Sequence, residues 1–280
     1  MQNYYKKFTN YIISNYDITD KNVIKKYSHS ARVACLMILL AKRLNLSKED
    51  VVLAFKIGLF HDLGRFREIV RNKDKDKAFN NLTFDHGAYS NKVLFNDGLI
   101  KEFDVSEDDY LLIRKALYYH NKKDLDDNLD EREELFCKMI RDMDKLDILY
   151  IRSGGDNLSS SIMDNMDMVA LNYQNNVKRL KFEVEPNLKL LDNYLKDETI
   201  HIKDIISKGN TDSTIFYLSF IKDLYFDESF DIAINNGYLG RLLSIIDVDD
   251  DKKELFNELL VKIKERKKKD VREKIRSYTS

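Results

Sequence analysis

The chain has 280 residues, with 47 basic against 48 acidic side chains and a formal charge of −1. That is long enough for one large domain or two small ones, and too evenly charged to bind nucleic acid by bulk electrostatics. Only nine glycines and one proline are present, where average usage of about 7% and 5% would give roughly 34. So few turn-formers exclude a barrel or a sandwich and predict an all-α chain of long elements.

Residues 4–16 predict a short amphipathic helix. Residues 22–44 predict a longer one, apolar almost all round in its middle, as suits the centre of a bundle. Ser47 reads as the N-cap of a helix running to about Leu63, with Gly64 as its C-cap. Residues 71–83 are polar and read as a loop. Thr83 then caps a helix over 84–96, closed by Asn96-Asp97-Gly98. Ser106 with Asp109 marks another capped start, of a helix ending near His120. A polar loop at 121–130 leads into a long helix at 131–152.

The glycine pair and serines that follow form the clearest break, dividing a core (1–152) from a helical extension (153–280). The extension predicts helices at 162–179, 187–207, 212–224, 228–246 and 252–275. The last is basic, but its charges are interleaved with acids and read as a solvated face. The longest apolar run, Val33 to Ala41, is nine residues, far short of the ~20 a membrane span needs. No apolar signal-peptide core precedes it. Cys35 and Cys137 lie inside apolar helical patterns and read as reduced core thiols of a cytoplasmic protein.

The five histidines are His29, His61, His86, His120 and His201. The first four fall on four different predicted helices, each on or beside an apolar stripe. His29 shares a face with Val33, Leu36 and Leu40, and His120 ends the stripe Ile113, Ala116, Leu117. Asp62 lies on the face of Phe55, Gly58 and Leu59, where Gly58 lets a neighbouring helix come close. His86 opens the helix carrying Val93 and Leu94, while His201 reads as ordinary surface. In the helix 131–152, the stripe Phe136, Ile140, Ile151 passes through position 144, so Asp144 falls where an apolar residue belongs. Asp142, about 200° from Ile140 at 100° per residue, is expected to face solvent. A carboxylate aimed into a core is costly unless a cation or hydrogen bonds meet it. Any one of these histidines taken alone reads as a satisfied core residue. Together, four inward histidines and two inward aspartates make a metal site in a bundle, with ligands suited to Mn, Fe, Co, Ni or Zn.

With these residues in place, the chain resembles the HD-domain superfamily of metal-dependent phosphohydrolases, whose signature is H…HD…D on a helical core. The match is His29, His61-Asp62 and Asp144, within surroundings (LFHDLGRF, IRDMDKLDIL) typical in type and position. DHGAYSNKVLF and IRKALYYHN resemble the two further histidine segments of members that bind two metals. The resemblance covers about residues 22–152 and reaches weakly into 216–246. It implies that His29, His61, Asp62 and Asp144 hold one divalent metal, with His86 and His120 holding a second that Asp62 bridges.

Two cations ~3.5–4 Å apart clamp a phosphate and generate a hydroxide near neutral pH. The implied substrate is a small phosphate ester, nucleotide-like, attacked by that metal-bound hydroxide. Arg65 and Lys145 are the candidates for holding substrate phosphate. Asp147 is a candidate for orienting a ligand histidine, and Arg67 and Asp85 are further candidates around the site. The same ligands serve a di-iron oxygenase branch of the superfamily, and a non-catalytic metal- or nucleotide-binding module is the third reading. The GYP-type extension of cyclic dinucleotide phosphodiesterases is missing after His120.

Overall fold

The structure, a computed structural model, describes residues 1–71, 84–153, 216–221, 223–236, 238 and 242, with no strand among them. The chain divides into two compact units, and the division falls between Met143 and Asp144, inside one unbroken helix.

The first unit is built from α1 (Gln2–Asn15), α2 (Lys21–Arg43), α3 (Lys48–Phe60), α4 (Leu63–Arg71), α5 (His86–Asn91), α6 (Tyr110–Tyr119) and the start of α7 (Glu131–Arg152). Local chemistry sets these boundaries. The Asp20 carboxylate accepts the Asn22 N–H at 2.9 Å and starts α2. Ser47 Oγ accepts the Asp50 N–H at 3.0 Å, the cap the sequence predicts. At the head of α7, Asp130 accepts from the Glu133 N–H (2.8 Å) while Glu133 accepts from the Asp130 N–H (2.9 Å). Two orphan donors are thereby satisfied reciprocally.

Three sequence expectations are corrected. Gly64 does not cap α3. That helix ends at Phe60 and a new one, α4, begins at Leu63 with Gly64 inside it. The sequence reading left α4 unassigned, yet its Leu63, Phe66 and Ile69 are buried at three-residue spacing. The helix expected over 84–96 is α5 followed by a π-helical turn at Lys92–Asn96, and its N-cap is Asp85. Gly98 ends it in the left-handed conformation (φ 83°), a backbone state only glycine adopts freely. Ser106 makes no side-chain cap: it precedes a 3-10 turn at Glu107–Asp109, and α6 starts at Tyr110.

The centre of the unit is the packing of α2 on α3. A Cβ at Gly58 would sit 2.5 Å from Ala34 Cα, so the glycine is what allows the two helices to touch. Val33, Met37 and Leu40 of α2 meet Phe55, Leu59 and Phe60 of α3 as wholly buried side chains. Each contributes roughly 1.5–3 kcal/mol relative to exposure.

In the second unit, Asp144–Arg152 of α7 is followed among the described residues by a helical segment at 216–221 and by α8 (Asp227–Asn235). Leu218, Ile221, Phe226, Ile232 and Tyr238 are buried there. Arg152 donates to the Tyr217 hydroxyl at 2.7 Å. The helices expected at 162–179, 187–207 and 252–275, and His201, lie outside the described residues. No helix among the described residues is long and apolar enough to cross a membrane.

Candidate metal centre

The candidate ligands sit mostly at helix ends, where a side chain can turn inward without interrupting backbone bonding. His61 is the C-cap of α3, Asp62 lies in the short turn into α4, His86 is the first residue of α5, and His120 is the C-cap of α6. His29 lies on α2, facing them. The turn is pinned from the other side by Ser90 of α5. Its Oγ donates to the His61 carbonyl (2.7 Å) and accepts the Gly64 N–H (2.8 Å). Gly64 is required here because a Cβ would collide with the His86 carbonyl and lie 2.8 Å from Tyr89 Cβ.

Asp62 is 3% exposed and stands at the centre of four imidazoles. Its Oδ2 is 3.3 Å from His29 Nε2 and 3.6 Å from His61 Nε2, while its Oδ1 is 3.7 Å from His86 Nε2 and 3.6 Å from His120 Nε2. One oxygen therefore serves each pair of histidines. Ligand atoms of Asp62, His86 and His120 lie within 4.8 Å of one another, and so do those of His29, His61 and Asp144. Asp144 reaches the second group on the same continuous helix whose first half packs in the core.

Hydrogen bonds fix the ring orientations. His61 Nδ1 donates to the Gly58 carbonyl and His120 Nδ1 to the Leu117 carbonyl, both at 2.7 Å. A carbonyl only accepts, so these rings carry their protons on Nδ1 and turn Nε2 lone pairs towards Asp62. His120 Nε2 is buried with no hydrogen-bond partner, an expense that an incoming cation would remove. Borderline nitrogen donors with a shared carboxylate suit a divalent transition metal. Burial, reinforced by the neighbouring His120, pushes the His86 imidazole down to about 2, so it is neutral at pH 7 and able to act as a ligand. Burial opposes charge on Asp62, but Lys26, His61 and hydrogen bonds from His120 and His29 outweigh it and hold the carboxyl well below the usual carboxylate range.

Asp142 corrects the sequence reading: it is fully buried rather than facing solvent. Helix α7 has no solvent face at that level, because Phe136, Cys137, Met139, Ile140 and Met143 bury its whole circumference. Arg65 donates through Nη1 to Glu68 Oε2 at 2.6 Å and holds Nε 4.0 Å from Asp62 Oδ1. Lys145 donates to the Asp223 carbonyl at 3.2 Å and lies 3.6 Å from that residue's carboxylate. Asp147 is buried, and Arg67 forms an exposed ion pair with Asp97 at 3.7 Å. Asp85 caps α5 through the Ala88 N–H (3.1 Å) and pairs with Lys122.

Three neighbours of the site were missed in the sequence. Lys26 Nζ lies 2.5 Å from Asp62 Oδ2. It sits three residues before His29, on the same helix face, which is the signal that could have found it. Glu68, 2% exposed, engages Arg65 at the same spacing. Asn121 lies against His86 Nδ1 (3.2 Å) and Asp85 (3.3 Å), and no periodicity marks a loop residue of that kind.

The family model for the HD domain matches residues 27–149. No curated protein and no solved structure matches the chain. The matched span runs from just before His29 to just beyond Asp144, so it encloses both clusters. Residues 27–149 are an HD domain, and through it the chain belongs to the HD-domain superfamily of metal-dependent phosphohydrolases.

Proposed function

We propose that the chain hydrolyses a phosphate ester of a nucleotide or related small metabolite, with divalent cations held by His29, His61, Asp62, His86, His120 and Asp144. The observation that carries this reading is the division of the buried Asp62 carboxylate, one oxygen to each pair of histidines. When bound, two cations supply positive charge to a phosphoryl oxygen and acidify a water molecule towards neutral pH.

The chain's own groups do the rest. His61 and His120 are locked in the tautomer that offers Nε2, and Ser90 fixes the turn that carries Asp62. Of the two phosphate candidates, the reading favours Arg65. Its guanidinium is steered by buried Glu68 and adjoins Asp62, whereas the Lys145 ammonium is occupied by Asp223. The fork of an arginine also matches the oxygens of a phosphate. The proposal places the protein in the cytoplasm, where a buried free thiol such as Cys137 stays reduced.

The test is to purify the protein without chelator, measure its metal content, and assay it with Mn²⁺ or Co²⁺. The substrates are a generic phosphodiester, a phosphomonoester and a panel of nucleotides. One or two metals per chain, with turnover that disappears in Asp62→Ala while the far-UV spectrum is kept, is the expected result. Metal without ester turnover overturns the hydrolase, and iron with oxygen consumption redirects it to the oxygenase chemistry the same ligands permit. Absence of metal overturns the whole reading.

A further inference from the structure

Lys26 is a cation placed on the one carboxylate oxygen that a metal would need. Its Nζ lies 2.5 Å from Asp62 Oδ2, the oxygen that also faces His29 Nε2 at 3.3 Å and His61 Nε2 at 3.6 Å. The Lys26 side chain is only 19% exposed, so its ammonium is largely withdrawn from water and needs an anionic partner wherever it goes. A divalent cation among His29, His61 and Asp62 would draw on the same oxygen and repel the ammonium at short range. The flexible four-carbon stem of lysine lets that charge move by several ångströms while its base stays on α2.

We propose that Lys26 is a substrate-binding residue that shares Asp62 with the first metal. The ammonium competes with the cation for Oδ2, and once displaced it takes an oxygen of the phosphoryl group that the cations attract. The proposal rests on the hydrolase reading above and deepens it, because it makes metal loading and phosphate binding linked events. The anion rewards the ammonium for leaving Asp62, so phosphate tightens metal binding and metal tightens phosphate binding by the same factor. Lysine at this place favours a substrate with a free, highly charged phosphoryl oxygen, since a point charge gains most there.

The experiment compares the full-length wild type with Lys26→Met and Lys26→Arg. It titrates Mn²⁺ by calorimetry, and then inorganic phosphate onto the Mn²⁺-loaded protein. Methionine keeps the stem and removes the charge. The expected result is Mn²⁺ binding about tenfold tighter in Lys26→Met, with phosphate binding about tenfold weaker, the scale of one lost charge-assisted bond. Lys26→Arg should restore most of the phosphate affinity. Unchanged phosphate affinity in Lys26→Met overturns the proposal, and so does Mn²⁺ binding that is unchanged or weaker. Either of those results leaves the metal centre standing, because the wild type still binds Mn²⁺. A wild type that binds no Mn²⁺ overturns both the centre and the role of Lys26. A thermal scan in chelator checks that both variants are folded.

Discussion

The carbonyl oxygen of Gly58 accepts a hydrogen bond from His61 Nδ1 at 2.7 Å, and that bond decides which ring nitrogen faces Asp62. The same glycine is where α2 and α3 come into contact. Helix packing and ligand tautomer are thus set at a single residue, and the chemistry of the site begins in the core.

Asp62→Asn tests the shared carboxylate with almost no change of shape. The amide offers an NH₂ to one pair of histidines and carries no charge for Lys26. Metal content should fall towards zero, and ester turnover should drop by at least ~10²-fold, the scale of losing a main electrostatic stabiliser. Stability in chelator should fall by only about 1–3 kcal/mol. Metal analysis, steady-state kinetics and urea denaturation check this, and metal retained at full stoichiometry would count against it.

Gly64→Ala acts at a distance from every ligand atom. Its methyl group would meet the His86 carbonyl and the Tyr89 Cβ, forcing α5 away from α4. We expect a loss of about 1–3 kcal/mol, as for overpacking elsewhere. The His86 side of the centre should weaken more than the His29 side. A urea midpoint together with a two-step metal titration reads both effects.

The His86 imidazole has a folded pKa of about 2, far below the ~6.5 of an unfolded histidine. Between those values the unfolded chain binds a proton that the folded chain refuses. Stability in chelator is therefore full above pH ~6.5 and falls as the pH drops, by at most about 1.4 kcal/mol per unit for this one proton. His86→Gln should flatten the slope between pH 6.5 and 5. The melting temperature followed against pH in both proteins shows whether it does.

Asn121 sets the tautomer of His86. As placed, its Nδ2 contacts His86 Nδ1 and its Oδ1 is buried without a hydrogen-bond partner. For His86 to offer Nε2 to a cation, Nδ1 must carry the proton and the amide must present Oδ1 to it. A half-turn of the amide does this by giving up its 3.3 Å bond to Asp85, which keeps Lys122 and the Ala88 N–H. Asn121→Leu should then cost about 10–100-fold in affinity for a cation on His86 and His120. The His29 side should change little, and cobalt absorption resolved into two binding steps separates the sides.

Periodicity carried much of this architecture. The apolar face of α2, the whole of α7 and the cap at Ser47 follow from local pattern, and so does the inward placing of His29, His61 and His120. What was hidden depends on contacts between segments distant in sequence. Gly64 looked like a helix end because its role, admitting the backbone of α5, is visible only when α5 is in place. Asp142 looked exposed because a helical wheel assumes one wet face, and α7 has none at that level. Asn121 acts through a hydrogen bond across 35 residues of chain, which no spacing rule contains. Lys26 was legible in principle, one turn from His29, but a lysine on a helix reads first as solvated surface.

The π-helical turn at Lys92–Asn96 gives one more consequence. Such a turn holds an extra residue, so it offsets the two stretches of helix it joins by about 100°. Deleting a single residue there would restore regular winding and leave every ligand in the chain. It would also rotate His86 out of phase with the buried Val93 and Leu94. The protein would then contain a complete set of metal-binding side chains with one of them aimed the wrong way. Its centre is thus specified by helical phase as well as by composition.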